Sequence, residues 1–120
     1  MKKRAVILEP NKAAREEWIE DTLENLQSIV GGYIEVTYPF DDNAVVVGNE
    51  EAKLVGLKGN RHINGSVYAG NLIIIGDDGQ GEFMSLAEEQ SEAYSEMFAE
   101  PEEISDDEVE NDIHFTIWSW

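Results

Sequence analysis

Three short apolar runs do most to limit what this chain can fold into. They are Ala5–Leu8, Ala44–Val47 and Leu72–Ile75, and each is bounded by charged or turn-forming residues. Each run is too short for a membrane span or an ordinary globular helix, and Val and Ile predominate in them. Runs of this kind are typical of central β-strands. The chain is therefore expected to fold around a sheet.

Alternation and turn signals complete the predicted sheet. The predicted strands are Lys3–Glu9, Arg15–Glu20, Tyr33–Tyr38, Ala44–Val47 and Val67–Ile75. Asp41-Asp42-Asn43 between two of them predicts an antiparallel hairpin, and Asn64-Gly65 is a tight-turn dipeptide. Residues 53–60 are expected to be an irregular connection.

Two segments have helical periodicity. The first begins at Asp21 or Thr22 and ends at Gly31-Gly32, a typical helix stop. The second opens with a capping box from Ser85 to Glu88 and runs to about Phe98. Its expected buried stripe is Leu86, Ala93, Tyr94, Met97 and Phe98. The fold class is therefore α+β, a single mixed or antiparallel sheet of about five strands with two helices, plus an acidic C-terminal extension.

The chain divides into three predicted regions. Residues 1–99 form the α+β domain, residues 100–112 an acidic linker or loop, and residues 113–120 a strand-like segment. That last segment has two interpretations. It is either a closing strand of the sheet or an exposed aromatic element for a partner, with Phe115, Trp118 and Trp120 as anchors.

Charge is divided unequally along the chain. The net charge is −18, and all eight Lys and Arg residues lie at or before Arg61. Residues 1–61 hold eleven acids and a net charge of −3, whereas residues 62–120 hold fifteen acids and a net charge of −15. Such a field repels nucleic acid and anionic lipid and attracts basic proteins.

Several functional classes find little support. The chain has no cysteine, which excludes disulfides, thiolate zinc ligands and a thiol nucleophile. The Gly/Asp loop Gly76–Gly81 places acids where a phosphate loop needs donors, and it lacks the spacing of a calcium loop. No catalytic residues, no metal and no cofactor are expected. Without an export signal or membrane span, a cytoplasmic location is expected.

Part of the sequence is similar to a known family. The segment Thr22–Val36 contains the run Val-Gly-Gly-Tyr-Ile-Glu-Val. Further matching pieces are Tyr38–Asp42, Val47–Glu51, Asn60-Arg61, Ala69-Gly70 and Ile75–Asp78. Over about residues 3–98 the chain resembles a domain-of-unknown-function family encoded by phages, plasmids and conjugative elements of Firmicutes. The resemblance implies a bacterial host cell and, through association with antirestriction modules, a role in overcoming host defences; it supplies no catalytic residues.

The acidic half contains the predicted binding residues. Glu88, Glu92 and Glu96 recur every fourth residue and so lie along one helix face at intervals of about 6 Å. The full partner-binding set is Glu88, Glu89, Glu92, Glu96, Asp106, Asp107, Glu108, Trp118 and Trp120. A row of carboxylates approximates a row of phosphates. The sequence thus predicts an acidic inhibitor that binds a basic host nucleic-acid-binding protein, a CRISPR effector or restriction enzyme, by mimicry.

Two other hypotheses stay open at this stage. One is a non-enzymatic adaptor that docks a protein through its C-terminal aromatic segment. The other is a pocket for a nucleotide, for which only the Lys53–Arg61 segment offers basic residues. A concave site at that segment would favour the second alternative.

Overall fold

The computed structural model describes the backbone of residues 1–118 and the side chains of residues 1–112. The strands are β1 Lys2–Leu8, β2 Arg15–Glu20, β3 Ile34–Thr37, β4 Ala44–Asn49, β5 Gly59–Ile63, β6 Ser66–Ala69, β7 Leu72–Asp77 and β8 Phe83–Met84. Six of them form one sheet in the order β2-β1-β7-β4-β3, with β8 paired to the end of β7. All the pairings are antiparallel.

Helix α1, Leu23–Val30, covers one face of the sheet. The Thr22 hydroxyl accepts a hydrogen bond from the Asn25 N–H at 3.2 Å, and Gly31 ends the helix in the left-handed conformation with φ 80°. Successive side chains of a strand point to opposite faces of the sheet, so every second residue of a strand faces α1. Leu26 and Val30 pack on these residues. This cluster comprises Ala5, Ile7, Ile19, Leu26, Val30, Val45, Val47, Ile73 and Ile75.

The opposite face is covered by helix α2, Glu88–Met97, and by the hairpin of β5 and β6. The core cluster there comprises Val6, Leu8, Ala44, Val46, Ile63, Leu72, Ile74, Leu86, Tyr94 and Phe98. Asn64 and Gly65, with φ values of 50° and 84°, connect β5 to β6. Two positive φ angles in a two-residue loop define a type I′ turn, the kind of tight turn predicted from this dipeptide.

The C-terminal segment packs on the outer side of this hairpin. Ile104 and Val109 are each 3% exposed and contact Val67 and Ala69 in a third apolar cluster. Helix α3 extends over Asp106–Trp118. The acidic region therefore contributes to the core through its two large apolar residues, although eight of its residues are acidic.

The α+β class is confirmed, with an antiparallel sheet, while the number of elements was underestimated. The predicted strand Val67–Ile75 is two strands, because Gly70 turns the chain with φ 76°. Strand β5 lies in the region expected to be irregular, and α3 begins within the predicted acidic linker or loop. Ala93 and Met97 are exposed on α2, where Ser91 is buried instead.

Candidate functional site

Helix α2 is held by polar contacts on its inner side. Its N-cap is Ala87, whose N–H donates to the Gln90 side chain at 2.9 Å. The capping box predicted from Ser85 to Glu88 is therefore wrong, and the Ser85 hydroxyl instead accepts from the Arg4 N–H at 3.0 Å. Gln90 in turn donates to Asp42 at 3.0 Å and Asn43 at 2.8 Å. The Tyr94 hydroxyl donates to the same Asp42 carboxylate at 2.8 Å. These contacts fix the rotation of α2 about its axis.

The titration of Asp42 and Tyr94 reflects this contact. Burial opposes ionisation of Asp42, yet hydrogen bonds from Gln90, the Ala44 N–H and Tyr94 outweigh it and lower the Asp42 pKa. Burial, reinforced by the Asp42 carboxylate, raises the pKa of Tyr94 well above its ordinary value. Asp42 is therefore a structural anion that anchors α2.

The outer side of α2 carries the predicted row of acids. With Ser91, Tyr94 and Phe98 turned toward the sheet, the four glutamates of α2 are exposed. These are Glu88, Glu89, Glu92 and Glu96. Among residues 1–112, no Lys or Arg forms an ion pair with any of them.

Three of the eight Lys and Arg side chains form ion pairs with acids of the first half of the chain. Lys3 binds Asp21 at 3.0 Å, Lys12 binds Glu9 at 3.7 Å, and Arg15 contacts both Glu9 and Glu17. The terminal amino group of Met1 binds Glu20 at 3.1 Å. Lys53 reaches the acidic half of the chain, where it contacts Asp112.

The predicted acids of α3 have different environments. Asp106 and Asp107 are exposed at the first turn, whereas Glu108 contacts Nε2 of His62. Glu102 contacts Nδ1 of the same ring at 2.6 Å and also accepts from the His62 N–H at 3.1 Å. The hydrogen bonds to Glu102 and then Glu108 raise the pKa of His62. Glu108 is thus less available to a partner than Asp106 and Asp107.

Helices α2 and α3 lie on the same side of the sheet. α2 packs directly on it through Tyr94 and Phe98, and α3 packs on the hairpin that covers the same face through Val109. The predicted acids of the two helices therefore share the side opposite α1. Trp118 is the last residue of α3; its side chain, and all of Trp120, lie outside the described residues.

The Lys53–Arg61 segment borders a cavity of about 440 Å³. Strands β3, β4 and β6 and the turn after β4 form its walls, and Lys53 and Leu54 are among its lining residues. Arg61 does not reach it: the side chain is completely buried and its guanidinium donates to the carbonyls of Asn60, Lys12 and Phe98. The residue pattern gave no signal for this burial.

The Gly/Asp loop uses its carboxylates locally. Asp77 accepts from the Gly79 N–H at 2.7 Å, and Asp78 accepts from the Gln80 and Glu82 N–H groups at 2.7 and 3.1 Å. Within the part of the chain that the structure describes, no three His, Asp or Glu side chains converge on a metal position. No helix in that part has the length and apolarity to cross a bilayer.

Comparison with known proteins yields one finding. The family model of a domain of unknown function, DUF3846, matches residues 1–99, close to the extent expected from the sequence resemblance. No curated protein and no solved structure gave a significant match.

Proposed function

The chain belongs to the DUF3846 family, and because that description names no activity, we propose a function from the charge distribution: an inhibitor, encoded by a mobile element, that mimics nucleic acid. Its target is the basic nucleic-acid channel of a host defence protein, a CRISPR effector or a restriction enzyme. The observation that carries the proposal is the row of exposed, unneutralised glutamates on α2. The mobile-element setting rests on the resemblance described above.

The geometry supports mimicry over mere solubility. A surface that only keeps a protein soluble mixes both signs of charge. Along α2, Glu88, Glu92 and Glu96 instead lie about 6 Å apart, inside the physiological Debye length of about 8 Å, with no cation between them. This repulsion destabilises the isolated protein, and a row of arginines and lysines in a partner would relieve it.

Asp106 and Asp107 extend the same surface. They are exposed on the side of the sheet that carries α2, where a large partner could contact both helices. Association with such a surface is expected to be fast, strongly salt-dependent and competitive with DNA or RNA.

The test uses a guide-loaded CRISPR effector and a restriction endonuclease as partners. The triple variant Glu88→Gln, Glu92→Gln, Glu96→Gln keeps side-chain volume and removes three charges. We expect it to bind at least roughly tenfold more weakly, since three charge contacts of about 0.5 kcal/mol each suffice for that loss. The control Glu24→Gln, Asp41→Asn, Glu51→Gln removes three exposed charges elsewhere and should bind nearly as the wild type does.

Equal binding by the α2 triple variant and the wild type would refute the proposal. A truncated chain that ends at Asp112 provides a second test. It keeps Ile104 and Val109 in the third cluster and lacks only the aromatic segment. If that truncation abolished binding while the α2 variant kept it, the adaptor hypothesis would replace mimicry.

A further inference from the structure

We propose that the cavity beside β3, β4 and β6 is a binding site for a small organic cation with an apolar, ring-sized body. The proposal is independent of the proposed mimicry, since none of the acids on α2 lines the cavity. It also differs from the nucleotide pocket that the Lys53–Arg61 segment suggested, because the charges at the site have the opposite sign.

The dimensions and the floor of the cavity suit a small organic molecule. Its volume of about 440 Å³ falls in the usual range of such sites, roughly 300–1,000 Å³. Its apolar lining consists of the nearly buried Ala52, Val67, Ala69 and Leu72 together with Leu54, whose side chain is exposed. An apolar ring on this surface would be removed from water, which favours its binding.

The charges around the cavity favour a positive ligand. Glu35 and Glu50 line it and are both exposed, whereas Lys53 is the single Lys or Arg among its lining residues in the described part of the chain. The Lys53 ammonium contacts Asp112, which neutralises it. The site therefore has a net negative charge inside a strongly anionic protein, an unfavourable place for a phosphate.

A hydroxyl pair adds a polar group to the apolar wall. The Tyr68 hydroxyl and the Thr37 hydroxyl lie 2.8 Å apart and share one hydrogen bond. Two hydroxyls carry two protons and several lone pairs, so this pair keeps hydrogen-bonding capacity for a ligand. Tyr68 is half-buried, and its contact with Thr37 joins the hairpin to the edge strand β3.

Three indoles that share one ring and differ in charge test the proposal directly. Tryptamine is cationic, indole-3-propionamide neutral and indole-3-propionate anionic, and ethylamine carries the charge without the ring. Titration followed by amide NMR should show saturable shifts with tryptamine at Gly48, Ser66 and Tyr68, which line the cavity. We expect tryptamine to bind roughly fivefold more tightly than the neutral amide, with the anion and ethylamine weakest.

Paired variants separate a built site from general attraction. Glu35→Gln with Glu50→Gln should remove the roughly fivefold preference for tryptamine, because it removes both carboxylates of the site. The matched control Glu88→Gln with Glu92→Gln removes two charges on α2 and should preserve the preference. Leu54→Ser, at a side chain that is 70% exposed and lines the cavity, should weaken all three indoles without disturbing the core.

Three results would overturn this site. Indole-3-propionate could bind as tightly as tryptamine; tryptamine shifts could gather on α2; or ethylamine could produce the same shifts as tryptamine. The last two outcomes would reduce the effect to attraction by the net charge. None of them bears on the mimicry proposal, whose variants are read out by binding to a nuclease.

Discussion

Arg61 carries a positive charge into the interior of a chain whose net charge is −18. Its guanidinium donates to the Asn60 side chain at 2.8 Å, to the Lys12 carbonyl at 2.7 Å and to the Phe98 carbonyl at 2.8 Å. Burial lowers the Arg61 pKa, against the opposing charge of Glu102. The side chain thereby joins β5, the turn after β1 and the negative end of α2.

Replacing Arg61 with Met should destabilise the fold. The variant fills similar volume but removes the guanidinium donors of the Lys12 and Phe98 carbonyls, of which the Phe98 carbonyl keeps the Ala14 N–H. We expect a loss of about 3 kcal/mol in the free energy of unfolding. Urea denaturation measures this loss. Lys58→Ala, at an exposed basic residue, should stay within about 0.5 kcal/mol of the wild type. Equal stability of the Met variant would show that the guanidinium is dispensable.

His62 makes the attachment of the C-terminal segment depend on pH. Glu102 and Glu108 face its two ring nitrogens, and they raise its pKa in the folded protein. A raised pKa gives a stabilisation that is complete below the unfolded value of about 6.5 and disappears as the pH rises through the folded value.

The stability difference between the wild type and His62→Gln should therefore shrink as the pH increases. Unfolding in urea at about pH 6 and about pH 9 measures it, and the wild-type advantage should be larger at the lower pH. The His62 side chain is 44% exposed, so solvent weakens the effect. A difference that stayed constant or grew with pH would contradict the assignment of the ion pairs.

At the scale of elements, Gly59 shows how the C-terminal segment is attached. A Cβ at this position of β5 would lie 2.7 Å from the Ile104 Cβ and 3.1 Å from a Val109 methyl carbon. The absence of a side chain lets the segment before α3 pack directly on the hairpin backbone. The hydrophobic burial of Ile104 and Val109 stabilises this packing and offsets the electrostatic repulsion among the neighbouring acids.

Gly59→Ala should loosen this segment selectively. We expect faster hydrogen exchange at residues 104–112, while the amides of β7 stay protected. Gly65→Ala is the control: its positive φ makes it strained, with a cost of about 1 kcal/mol, but it contacts nothing within 4 Å. Uniform acceleration across the sheet in the Gly59 variant would mean that the segment and the core unfold together.

At the scale of the whole molecule, uncompensated negative charge should limit stability. The ion pairs of the first half leave the acids of α2 without cations, so their mutual repulsion opposes folding. Because salt screens exposed charges, this term depends on ionic strength.

Raising NaCl from about 0.02 to about 0.3 M should raise the melting temperature by several degrees, because the Debye length falls from about 20 Å to about 6 Å. Scanning calorimetry measures the shift. The triple Gln variant of Glu88, Glu92 and Glu96 should melt higher at low salt and respond less to NaCl. A melting temperature that falls with salt would indicate that the surface ion pairs outweigh the repulsion.

The sequence by itself determined the elements whose signals are local. The apolar runs of β1 and β4, the Gly31 stop of α1 and the Asn64-Gly65 turn all depend on neighbouring residues, so they were correctly predicted. The start of α1 was predicted at Asp21 or Thr22, and the structure has Thr22 as the cap. Exposure of the α2 glutamates followed from the helical period in the same way.

Only the tertiary structure decided the features that depend on distant residues. The burial of Arg61, the His62 contacts, the packing of Ile104 and Val109 and the cavity of β3, β4 and β6 each join segments far apart in the chain. A periodic pattern records which way a side chain points within its own element. It does not record which element lies opposite, because that depends on strand order and on the sum of many weak contacts.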